Sequence, residues 1–153
     1  DVCSSDLHGQ VVLVGYGHVG ERIVQALMEQ DIPFVVAEQN RELVQDLRKR
    51  NINAVSGDAT EPSVLIQAHI TDAAMLVIAI PDPLNVRQMI DTARTLNPEI
   101  EIVLRTRNED ETALLRRDKV GTVFFSEEEL AKSMTHHILQ RFDTKLENDI
   151  IKH

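Results

Sequence analysis

From Gln10 onward the chain alternates two hydrophobic rhythms. Short runs dense in Val and Ile recur as "VVLV" (11–14), "PFVVAE" (33–38), "NAVSG" (53–57), "MLVIAI" (75–80), "IEIVLRT" (100–106) and "TVFF" (122–125). Between them, apolar residues return at helical spacing, as in Val19, Ile23, Val24 and Leu27, and again in Leu43, Val44 and Leu47. Unbroken β-branched runs belong to strands covered on both faces, the condition of a parallel sheet, so the pattern predicts six strands joined by helices. A third helix is expected near Glu61, with Pro62 in its first turn and Thr60 as its N-cap. His69 reads as its closing polar cap. A fourth helix covers Leu84 to Leu96, stopping before Asn97-Pro98, and a fifth runs from Glu109 to Arg117, ahead of Gly121. Leu130, Met134 and Ile138, four residues apart, mark a last helix after the sixth strand.

Right-handed crossovers between such strands lead to an α/β fold: a Rossmann-like doubly wound sheet of six parallel strands in order 3-2-1-4-5-6, with helices on both faces. Its ligand crevice is expected at the strand C-termini, where the order reverses. The first strand runs into "GYGHVG", so that Gly15, Gly17 and Gly20 form G-x-G-x-x-G between a strand and an amphipathic helix. Gly15 permits the tight turn, Gly17 allows phosphate to approach the backbone, and Gly20 allows close helix packing. Free amides and the positive helix end suit an anion there. Glu38 ends the second strand, 18 residues beyond Gly20, where a carboxylate can accept the adenosine ribose hydroxyls. That favours NAD or an adenine nucleotide over NADP, although Arg41 nearby is also placed to meet a 2′-phosphate. Tyr16, His18 and Val19 in the loop, and Gln39 beside Glu38, complete this group of candidate cofactor contacts. After the third strand comes "GDAT", Gly57 to Thr60. Asp58 there is placed either to bond a base, with Ala59 offering backbone groups, or to cap the helix that follows, and spacing alone leaves both open.

Composition narrows the classes. The 153 residues suit one domain, and the formal net charge of −9 argues against a nucleic-acid partner. The basic "RKR" at 48–50 falls at a helix C-terminus, where cations favour the dipole. A single cysteine, Cys3, excludes an internal disulfide and a multi-thiolate zinc site, and fits a reducing compartment. No metal site is expected. Residues 1–9 stand outside the alternation and read as a linker or a sequence artefact, 10–141 as the domain, and 142–153 as a loosely ordered tail.

An enzyme needs a proton donor or acceptor near its reactive centre. Tyr16 is the only tyrosine and lies inside the glycine loop, with Gly20 four residues later, so no Tyr-x-x-x-Lys pair exists. His136 and His137 are adjacent and diverge around a helix. The acidic runs at 109–111 and 127–129 open helices and suit the dipole. Arg105 and Arg107 share one face at the end of the fifth strand, facing either an anionic ligand or the acidic "NEDE" segment.

With these motifs placed, the chain resembles the TrkA-N, or RCK N-terminal, nucleotide-binding domain, and most nearly the cytoplasmic C-terminal domain of Kef-type monovalent cation:proton antiporters. The likeness rests on "VVLVGYGHVGERIVQAL", "PFVVAEQN", "GDATEPSVL", "MLVIAIPD", "IEIVLRTRNEDE" and "EEELAKSM". The resemblance implies AMP, ATP or NAD(H) bound without turnover, as a conformational switch regulating potassium transport. It implies phosphate at Gly15, Gly17 and Gly20, ribose at Glu38, the base at Asp58 and Ala59, and Arg105 on the phosphate side. It also implies a homodimer through the helix carrying Leu130, Met134 and Ile138. A membrane antiporter domain, in the same chain or as a separate subunit, would hold the domain at the cytoplasmic face of the inner membrane. A small NAD-dependent oxidoreductase and a free Rossmann-type binding subunit are the competing expectations.

Overall fold

The computed structural model describes residues 9–80 and 83–151. Six strands form a single parallel sheet in the order β3-β2-β1-β4-β5-β6, as the alternation predicts. They are β1 (Val11–Val14), β2 (Phe34–Glu38), β3 (Ala54–Ser56), β4 (Met75–Ile78), β5 (Glu101–Thr106) and β6 (Thr122–Phe125). The helices are α1 (His18–Glu29), α2 (Arg41–Lys49), α3 (Pro62–Gln67), α4 (Pro83–Leu96), α5 (Glu109–Arg117) and α6 (Ser126–Ile151), with a short 3-10 turn at Ile70–Asp72.

All four residues of β1 are buried, because successive side chains enter two different cores. Val12 and Val14 join Leu76, Ile78, Ile102 and Leu104 beneath α3, α4 and α5. Val11 and Leu13 join Val36 and Val77 beneath α1 and α2, where Val24, Val44 and Leu47 complete the packing. Leu13, Leu47, Leu65 and Leu76 are fully enclosed, and each such side chain contributes about 2 kcal/mol through burial. The central strand is thereby fixed on both faces, and its C-terminal end becomes a rigid base for the glycine loop.

Three local features differ from the expected pattern. Thr60 does not cap α3: the N-cap is Glu61, whose side chain makes no capping bond, and Pro62 follows directly. The Thr60 amide is held instead by Asp58 Oδ1 at 2.9 Å, which makes Thr60 part of a turn, one residue ahead of the cap. His69 closes α3 through a left-handed backbone, φ 62°, with no capping bond from its side chain. The last helix continues directly from β6 and past Arg141 to Ile151, so that residues 142–151, expected as a loosely ordered tail, are helical. Arg48 and Lys49 do occupy the last turn of α2. Arg48 adds a fork-like contact, donating from Nε and Nη2 to the Ala54 carbonyl at 3.1 and 2.9 Å.

Candidate nucleotide-binding crevice

The chain leaves β1 through Gly15, whose φ of +97° is a conformation other residues adopt only under strain. This turn carries the backbone over the end of β4 and into α1, whose N-cap is Gly17. A Cβ on Gly20 would collide with the Gly15 carbonyl oxygen, so the first turn of α1 can lie this close to the loop only with glycine there. A Cβ on Gly17 would meet nothing within 4 Å. Gly17 therefore faces open space, and no side chain caps the start of α1. Amides without intrahelical partners, exposed at a helix N-terminus, form an anion-binding arrangement.

Beside the loop, at the C-terminal ends of β1, β2 and β3, opens a crevice of about 220 Å³. Gly15, Glu38, Gln39, Asp58 and Ala59 line it, so five of the residues expected from sequence meet at one place. Val14, Ala37, Gly57 and Ile80 complete the wall. Sequence reasoning did not single these four out as site residues. The signal for Ile80 was its place at the end of the fourth apolar run, next to the point where strand order reverses.

Glu38, at the end of β2, stands on the edge of the crevice with both carboxylate oxygens bonded. Its Oε1 accepts the Tyr16 amide at 2.8 Å and its Oε2 accepts the Asn40 amide at 2.7 Å. Each carboxylate oxygen has a second acceptor direction, so the two backbone bonds orient the group while leaving capacity for hydroxyl donors. Asn40 then caps α2, accepting the Glu42 amide at 2.9 Å through Oδ1. One residue pair thus joins the glycine loop, the end of β2 and the start of α2.

Asp58 lines the crevice and closes a turn ahead of α3, whose N-cap is Glu61, so it does not cap that helix. Its Oδ1 accepts the Thr60 amide, and it lines the crevice next to Gln39. The Thr60 amide is the main reason its carboxyl lies below the usual carboxylate range, with further help from the Thr60 hydroxyl and Gln39 against the opposing effect of burial.

Other expected contacts are placed differently. The Tyr16 ring is 8% exposed and turned into the core beneath α1 and α2, so only its backbone faces the crevice side. Val19 packs against that same core. His18 is exposed at the first residue of α1, and Arg41 is exposed at the first residue of α2. Arg105 is half-buried outside the crevice wall, with Nη1 donating to the Ala79 carbonyl at 3.3 Å, and does not pair with the acidic segment that follows β5. Burial first, and then Arg107, lower its pKa, yet a guanidinium remains charged. Ala79 immediately precedes Ile80, so this cation stands at the loop end of β4.

Sheet order, glycine loop and acid-ended second strand define a Rossmann-like α/β domain with a crevice at its strand C-termini. The chain belongs to the TrkA-N domain family, whose model matches residues 11–126. Among solved structures, the TrkA-N domain of the inner membrane protein YbaL from Escherichia coli superposes with a TM-score of 0.79 at 35% identity, covering 84% of this chain and 96% of that domain. The full YbaL of strain K12 is 36% identical over 129 residues, 84% of this chain but 23% of YbaL. The glutathione-regulated potassium-efflux system protein KefC of Enterobacter sp. (strain 638) is 29% identical over 113 residues, 74% of this chain and 18% of KefC. The chain thus spans about a fifth of the length of these curated relatives. The Kef C-terminal domain of Shewanella denitrificans in its AMP-bound form shares the fold, with a TM-score of 0.73 at 22% identity over 88% of this chain and 81% of that one.

Proposed function

We propose that this chain is the nucleotide-sensing regulatory domain of a monovalent cation:proton antiporter of the potassium-efflux type. The observation that carries the nucleotide half of this reading is the Glu38 carboxylate, oriented by two backbone amides at the edge of a crevice whose other edge is an open glycine loop. An adenine nucleotide such as AMP, ATP or NAD(H) fits that chemistry: ribose hydroxyls on Glu38, phosphate on the amides after Gly15 and Gly17, and the base against Asp58 and Ala59. Arg105, bonded to the Ala79 carbonyl at the loop end of β4, would add positive charge on the phosphate side. The relatives supply the transport half, since KefC is a potassium-efflux protein and YbaL an inner membrane protein. No described helix is long and apolar enough to cross a membrane. In this reading a membrane part in another segment or subunit holds the domain at the cytoplasmic face.

Regulation needs an element that senses occupancy and a partner that feels it. Helix α6 provides a surface for the latter: Leu130, Met134, Ile138 and Phe142 are 52–62% exposed along it, and Phe124 of β6 is 41% exposed. An apolar stripe of this extent on a projecting helix fits a second copy of the chain. A dimer whose geometry differs between empty and loaded states would convert nucleotide binding into gating, provided the ligand prefers one state. The named relatives are transport proteins, which supports sensing over hydride transfer as the purpose of the crevice. Calorimetry of the chain with AMP, ATP, NAD and NADH tests the reading. Saturable binding of at least one, weakened by Glu38→Ala, is expected, and absence of heat with all four would end it.

A further inference from the structure

Tyr16 stands between two cavities. On the crevice side its amide donates to Glu38 Oε1 at 2.8 Å. On the far side its ring forms a wall of a second cavity, about 480 Å³, together with Glu21, Val24, Gln25, Met28 and Arg50. There the phenolic oxygen accepts a hydrogen bond from Arg50 Nη1 at 3.2 Å, across 34 residues of sequence. Arg50 is itself anchored as the C-cap of α2, its amide reaching the carbonyl oxygens of Leu47 at 3.0 Å and Asp46 at 3.3 Å.

The geometry of Glu38 makes this contact consequential. A carboxylate held by one amide can pivot about that bond, whereas two amides on its two oxygens fix its plane. The Asn40 amide belongs to the same strand end as Glu38 and moves with it, so the Tyr16 amide is the independent second point. Glycine on both sides leaves the Tyr16 backbone free to turn unless the side chain restrains it. The ring is restrained by the core and, at its polar end, by Arg50.

We propose that Arg50 is a positioning residue for the ribose-binding carboxylate: by holding the Tyr16 phenol it keeps the Tyr16 amide on Glu38, and so tunes nucleotide affinity from outside the crevice. This rests on the adenosine site proposed above. Arg50 touches no ligand, so its effect must appear in the ribose-dependent part of affinity and nowhere else.

The experiment compares AMP with 2′,3′-dideoxy-AMP by calorimetry on the full chain, in wild type, Arg50→Met, Tyr16→Phe and Lys49→Met, with melting temperature recorded for each. Wild type is expected to prefer AMP. Arg50→Met and Tyr16→Phe are expected to weaken AMP about threefold, the lower range for one lost hydrogen bond at a partly exposed position, while leaving dideoxy-AMP unchanged. Lys49→Met, the neighbouring exposed cation, should behave as wild type. The inference is overturned if both test variants keep the wild-type ratio of the two affinities, or if they weaken both ligands equally, as a merely structural role would. If wild type itself fails to distinguish the ligands, or binds neither, the ribose role of Glu38 fails first, and this inference with it.

Discussion

Replacing Glu38 by Gln tests the tether between strand and glycine loop without changing side-chain size. The carboxylate accepts two amides, from Tyr16 at 2.8 Å and Asn40 at 2.7 Å. Glutamine keeps one acceptor oxygen, but its NH₂ group must then face the other amide, donor against donor. One charge-assisted bond is lost outright, and the remaining one becomes neutral. Bonds to charged groups contribute about 1.5–3 kcal/mol each, and the part-exposed setting discounts this to roughly 1–2 kcal/mol in total. For a chain of this length each kcal/mol corresponds to about 2–4 °C. The melting temperature of Glu38→Gln, followed by circular dichroism near neutral pH without ligand, should therefore fall by roughly 2–8 °C. An unchanged melting temperature would mean that the two amides do not hold the carboxylate in solution, and the orientation argument for the ribose site would lose its basis.

Gly17→Ala and Gly20→Ala should separate binding from folding. The added methyl at Gly20 meets the Gly15 backbone carbonyl, while that at Gly17 enters open space. Urea unfolding should show Gly20→Ala destabilised by about 3 kcal/mol or more. Gly17→Ala should stay within about 1 kcal/mol of wild type, yet lose AMP affinity in calorimetry; a Gly17→Ala protein that binds normally would remove phosphate from that position. The Asp58 carboxyl should titrate below the usual carboxylate range in a carbon-detected NMR titration, because the Thr60 amide favours its charged form. With its folded pKa lowered, its contribution to stability is fully present above the unfolded value and is lost as pH falls through the folded value. Asp58→Ala should remove that part of the acid dependence, and an unaltered acid limb would show that the turn contributes none of it. Met134→Asp places a charge on the exposed stripe of α6. Sedimentation should show dimer giving way to monomer with the native circular dichroism spectrum retained, and a wild type that sediments as monomer at high concentration would refute the dimer surface.

Much of the fold was legible because parallel strands buried on both faces write themselves as unbroken apolar runs, and six such runs separated by helical stripes leave few topologies. The glycine loop and Glu38 were legible because each has a geometric requirement that few residue types satisfy. The direction of Tyr16 was not. A tyrosine inside a glycine loop gives no sequence signal of which way its ring turns, and here the core beneath α1 and α2 decided it. Thr60 misled for a related reason: Asp58 and Thr60 compete for the same turn, and the aspartate carboxylate captured the threonine amide before the threonine could cap the helix. The length of α6 was legible too, because Phe142, Leu146 and Ile150 carry on the four-residue spacing of Leu130, Met134 and Ile138, although the polar residues between them read as a tail.

An adenine nucleotide seated at the C-terminal ends of β1 to β3 would be seen by titrating AMP into the ¹⁵N-labelled chain and following its backbone amides by NMR. Saturable shifts are expected, concentrated at Gly15, Tyr16, Gly17, Asp58 and Ala59, with Gln10 and Asn97, on the N-terminal side of the strands, unmoved. Absence of shifts at saturating AMP, or shifts centred on Gln25 and Met28 across the loop, would contradict it.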